Sequence, residues 1–172
     1  MSRLRLVITP LIAALLWYTA TTVQAQTLPP LSGPVLLTVT GLDPASHPGG
    51  KQEFDLAMLQ AMGASQITTS TIWTDGAHVY TGVMVNTLAL LIKSGDHALR
   101  FHALNDYSVD IPAADISDVA PLLAYQADHA PMSVRDKGPL WVIYPFDAGA
   151  EFRTDTVFSR SVWQVSAIEI LP

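Results

Sequence analysis

No cysteine occurs anywhere in the 172 residues of this chain. No disulfide can therefore staple it, no thiolate can hold a zinc or iron–sulfur centre, and no cysteine can act as nucleophile or lipid anchor. Stability has to come from a hydrophobic core. Hydrophobic residues make up 49% of the sequence, which is enough for one domain of ordinary size to stand without cross-links.

The N-terminus differs in composition from the rest. Arg3 and Arg5 precede an apolar run from Leu6 to Tyr18 interrupted only by Thr9 and Pro10, Val23-Gln24-Ala25 follows, and no acid precedes Asp43. The run is shorter than the roughly 20 residues of a membrane helix and has the layout of a secretory signal. Residues 1–25 thus read as a signal peptide cleaved after Ala25, with an uncleaved N-terminal anchor as the other possibility. A periplasmic or secreted location follows, with no membrane segment beyond the signal. Residues 26–34, with three prolines, one glycine and no charge, read as a linker or edge extension before a domain over 35–172. A net charge of −6 and the lack of any basic run exclude nucleic acid as a partner.

Val35–Thr40 has the β-branched content of a strand, and the Pro- and Gly-containing stretch from Gly41 to Gly50 is a loop. Asp55 is placed to cap a short helix through Met62, with Leu56 and Leu59 toward the core and Gly63 ending it. Gln66–Trp73 is a threonine-rich strand. Val85, Leu88, Ala89 and Ile92 form a helical stripe, predicting a helix over Val83–Lys93 with Gly95 near its cap. Strands are then expected at Leu99–Leu104, Val109–Ile111, Leu122–Ala127, Leu140–Tyr144 and Trp163–Leu171. Seven strands and two helices without a βαβ rhythm give an α+β class: a compact, mostly β domain with a mixed or antiparallel sheet.

Little in this pattern carries chemistry directly. The five histidines, at 47, 78, 97, 102 and 129, show no i, i+4 pair on a predicted helix, so no metal site is expected. Ser133, Ser159 and Ser161 lack any nucleophile-elbow signature. The twelve aspartates sit mostly at turns and caps, and there is no glycine-rich phosphate loop.

Five pieces in order carry a family resemblance. Tyr80-Thr-Gly-Val83 leads into an apolar helix; Asn105-Asp-Tyr-Ser-Val-Asp-Ile-Pro112, Leu122-Leu-Ala-Tyr125, Asp128–Pro131 and Gly138-Pro-Leu-Trp-Val-Ile-Tyr-Pro145 follow. Trp163 and Val165–Ile170 complete the pattern. Over residues 67–171 the chain resembles the oxidoreductase molybdopterin-binding domain of the sulfite-oxidase type, in a minimal form. The resemblance implies that fold, and molybdopterin as the possible cofactor. It also implies that Tyr107 faces the metal centre, where a phenol can bond an oxo ligand or anionic substrate. A half-buried strand tyrosine is the alternative. Gly138 and Pro139 match the turn feeding the strand beneath the cofactor. Arg100 and His102 alternate onto one strand face leading to Tyr107, so the three residues are expected to converge on one anion- or cofactor-binding pocket.

Two departures stand against that chemistry. The metal's cysteine ligand would fall on or just after the Ile67–Trp73 strand, where this chain has Thr71, Ile72 and Trp73, and a neutral hydroxyl does not replace a soft anionic sulfur. Trp141 stands where larger relatives carry an arginine. Two functions follow. One is an exported molybdopterin-type oxidoreductase domain, degenerate for want of the thiolate. The other is a non-enzymatic periplasmic module that uses the same scaffold to bind a small anion or partner protein, with no cofactor.

Overall fold

The structure is a computed structural model that describes residues 28–172. The expected signal peptide, with Gln26 and Thr27 after it, lies outside the described residues. Among the described residues ten strands form two sheets. The first is mixed: β1 (Leu37–Thr40) lies between β2 (Lys51–Phe54) and β10 (Val165–Ile170), and β5 (Leu99–Ala103) and β6 (Ser108–Ile111) continue beyond β10. Only the β1–β10 pair is parallel. The second sheet is antiparallel, in the order β3 (Ser65–Ser70), β4 (Ala77–Met84), β7 (Leu122–Ala127) and β8 (Ala130–Pro131), with β9 (Trp141–Ile143) also on β7. The helices are α1 (Leu56–Ala61), α2 (Val85–Ile92) and α3 (Asp155–Arg160). The mostly β, α+β class expected from the sequence is the class observed.

The main core fills the space between the sheets. Leu37, Val39, Leu99, Phe101, Ile111 and Ile168 from the first meet Val83, Leu123, Tyr125 and Val142 from the second, with Leu59 and Leu88 from α1 and α2. A smaller cluster, built on Tyr80, Leu122, Trp141 and Ile143, covers the other face of the second sheet. Trp73 packs against both. Gly82 is where β4 and β7 approach: a Cβ there would strike the Leu123 carbonyl and the Ala124 backbone, and the register of the pair shifts between Thr81 and Gly82.

Several local expectations need correction. The sequence pattern does not announce β2, β4 or β8, nor α3, whose Thr154 hydroxyl accepts from the Val157 N–H at 3.3 Å as an N-cap. Tyr80–Met84 is strand, and the helix begins only at Val85. It ends at Lys93, which itself takes the left-handed conformation, φ 55°. The strand expected over 66–73 stops at Ser70, because Thr71–Thr74 is a turn closed by hydroxyl bonds.

Asp55 caps α1 as expected, accepting from Met58 N–H at 2.9 Å. Its second oxygen takes the N–H groups of Ser32 (2.7 Å) and Gly33 (2.8 Å), so the segment before β1 is tied to the domain. These backbone donors hold the Asp55 pKa down at about 2.

Candidate functional site

Tyr107 follows a turn in which Asp106 has φ 65° and Asn105 Oδ1 accepts from the Tyr107 N–H at 3.2 Å. Pairing across the hairpin sets where side chains face. Leu99 lies opposite Ile111, Arg100 opposite Asp110 and His102 opposite Ser108, and the Ala103 N–H donates to the Tyr107 carbonyl at 2.9 Å. Tyr107 therefore shares a face with Leu99, Phe101 and Ala103, and Arg100 and His102 share the opposite one.

The expected convergence of Arg100, His102 and Tyr107 is thus corrected. Arg100 donates from Nε and Nη2 to the two Asp110 oxygens at 2.7 and 2.9 Å, a bidentate pair on the outer surface. The pairing raises the guanidinium pKa and lowers that of the carboxyl. His102 Nε2 lies 3.5 Å from Glu169 on the same face. Gly138 is buried and does not line the groove at Tyr107. Its N–H donates to the Ser133 carbonyl at 2.7 Å, and a Cβ would run into the Met132 carbonyl, so this position demands glycine for close backbone approach.

Tyr107 borders a groove of about 270 Å³ with Trp73, Ala103, Asn105, Phe158, Ser159 and Trp163 among its walls. Its hydroxyl donates to the Ser159 carbonyl at 2.9 Å. No charged side chain lines the groove. Trp73 forms the back, in edge-to-face contact with Trp141, Phe146, Phe158 and Trp163 at centroid distances of 5.6–6.1 Å. Thr71, beside it, is occupied with the turn: Oγ1 lies 2.8 Å from Thr74 Oγ1 and accepts from the Trp73 N–H at 3.0 Å.

Trp141, which touches Trp73, lines a second cavity of about 340 Å³. Arg135 and Lys137 line it with His78, Asp128, Asp136, Tyr80 and Trp141. Lys137 Nζ stands 5.5 Å from the Trp141 ring centre, and neither cation pairs with a carboxylate among the described residues. His78 and Asp128 pair at 2.6 Å, which raises the imidazole pKa and lowers that of the carboxyl.

The chain is similar to the sulfane dehydrogenase SoxCD from Paracoccus pantotrophus, with a TM-score of 0.54 and 14% identity over 78% of this chain. What they share is the fold. The match spans 37% of the SoxCD chain. No protein-family model matches the sequence, and no curated protein matches it.

The molybdopterin implied by the sequence resemblance fits this donor set poorly. The place expected for the thiolate is held by a threonine committed to its own turn and by a tryptophan packed among aromatic rings. The cations suited to a phosphate, Arg135 and Lys137, line the second cavity and not the groove at Tyr107. Among the described residues no group of three or more His, Asp or Glu is placed to hold a metal ion. Of the groove residues, sequence reasoning named only Tyr107 as a site residue, and Phe158 and Ser159 lie on a helix it missed. Thr154 followed by Asp155 is the capping signal that marks their helix.

Proposed function

We propose that this chain is an exported, non-enzymatic binding module: a sulfite-oxidase-type scaffold that holds a small ligand in the groove at Tyr107 without molybdenum chemistry. The observation that carries the reading is the turn at Thr71–Trp73. A hydroxyl that accepts a local N–H and a ring wedged among Trp141, Phe146, Phe158 and Trp163 offer a metal neither charge nor a soft donor. The fold likeness to a sulfane dehydrogenase supports a scaffold shared with an oxidoreductase, and fold alone does not transfer activity. Export rests on Arg3, Arg5, the short apolar run and Ala25.

Elemental analysis of protein produced in a host that assembles molybdenum cofactor tests the main point. A folded protein with far less than one molybdenum per chain is expected. Stoichiometric molybdenum returns the oxidoreductase reading. N-terminal sequencing of protein recovered from the periplasm, expected to begin at Gln26, tests export; intact Met1 in the membrane fraction overturns it.

A further inference from the structure

We propose that the groove at Tyr107 takes a small organic cation, a methylated ammonium group held on aromatic faces and oxygen lone pairs. This rests on the reading of the groove as the ligand site and specifies the ligand's chemistry. Four of the lining residues, Trp73, Tyr107, Phe158 and Trp163, are aromatic. The face of an aromatic ring is the negative end of its quadrupole and attracts a cation. Tyr107 makes no ring–ring contact among the described residues and is 45% exposed at the groove, so a ligand can reach its ring.

Hydrogen-bond accounting points the same way. The Tyr107 hydroxyl donates to the Ser159 carbonyl, Ser159 Oγ to the Thr156 carbonyl at 2.8 Å and Ser161 Oγ to the Val157 carbonyl at 2.9 Å. All three hydroxyl protons are used, so these groups offer a ligand only lone pairs. The remaining N–H donors, the Asn105 amide and the indoles of Trp73 and Trp163, are neutral. Arg160, next to Ser159 and Ser161, directs its guanidinium to Asp115 at 2.9 Å. An anion therefore meets no free cation in the lining, whereas a weakly hydrated ammonium needs no strong donor. A chain with net charge −6 favours its approach.

The test compares choline with its uncharged isostere, in which a quaternary carbon replaces the nitrogen, by tryptophan fluorescence titration of the folded protein. Choline is expected to bind about fivefold to thirtyfold more tightly than the isostere, the range for a desolvated cation on aromatic faces. Tyr107→Leu is expected to lower choline affinity about fivefold, and Tyr107→Phe, which keeps the ring, by less than about twofold. Melting curves establish that both variants are folded. Equal binding of the two probes overturns the cation and leaves the groove as a site for uncharged ligands, and an unchanged choline affinity in Tyr107→Leu overturns the proposal by placing the choline site elsewhere. If neither probe binds at millimolar concentration, the groove reading fails with it.

Discussion

The Tyr107 phenol donates to the Ser159 carbonyl at 2.9 Å and so ties the β5–β6 hairpin to the last turn of α3, fifty-two residues away. Tyr107 is 45% exposed, so water competes for both partners. Tyr107→Phe should therefore cost only about 0.5 kcal/mol, the low end of the range for a protein hydrogen bond. Urea denaturation of the two proteins measures it. A loss above about 2 kcal/mol would mean that the bond holds the hairpin in place rather than trimming the groove.

Arg100→Ala should leave ligand binding in the groove unchanged. The guanidinium lies on the outer face of β5, engaged with Asp110, while Tyr107 faces the other way. Melting temperature should fall little, because an exposed ion pair is screened by water and salt. Titration of the variant with choline is the check, and an affinity lowered tenfold would place Arg100 in the site after all.

Gly138→Ala should destabilise by about 1–3 kcal/mol, the cost of forcing an added group into closely packed structure. The new Cβ would overlap the Met132 carbonyl. Gly33→Ala is the control, since its nearest neighbour would be an ordinary 3.6 Å contact with Asp55; its change should stay within about 0.5 kcal/mol. Equal effects at both positions in thermal unfolding would refute the packing argument.

Tyr144 is 3% exposed and its hydroxyl has no hydrogen-bond partner among the described residues. Burial also pushes its pKa far above the ordinary phenol value. Removing an unsatisfied buried group relieves a desolvation penalty, so Tyr144→Phe should raise stability by about 1 kcal/mol. A destabilised variant in urea denaturation would refute this.

Asp55 makes stability depend on acid. Its folded pKa, about 2, lies below the ordinary 3.8, so the carboxylate's contribution is fully present above pH 4 and is lost as pH falls toward 2. Chemical denaturation across that window should show falling stability, with a flatter profile for Asp55→Asn. Identical slopes would mean that other carboxylates dominate acid unfolding.

Much of the fold was legible where local preference and burial agree. The β-branched run at β1, the stripe Val85, Leu88 and Ile92 on α2 and the Asp55 cap each announce an element that the tertiary structure also wants. β2, with the sequence Lys-Gln-Glu-Phe, announces nothing, because it is a strand only by pairing with β1 at a sheet edge. β4 hides because its second half, Tyr80–Met84, is buried throughout and lacks alternation.

The site divides in the same way. Sequence periodicity correctly puts Arg100 and His102 on one face of one strand, because side chains alternate with a period of two. Whether Tyr107 joins them depends on the register across the Leu104–Asp106 turn, which periodicity within a strand leaves open. Folding pairs Ala103 with Tyr107 and thereby turns the phenol toward Phe158 and Ser159, brought in by a six-residue helix from the far end of the chain. The absence of a thiolate was readable from composition. That four aromatic side chains would line the groove was decided by long-range packing, since Trp73, Tyr107, Phe158 and Trp163 meet only when both sheets and α3 are in place.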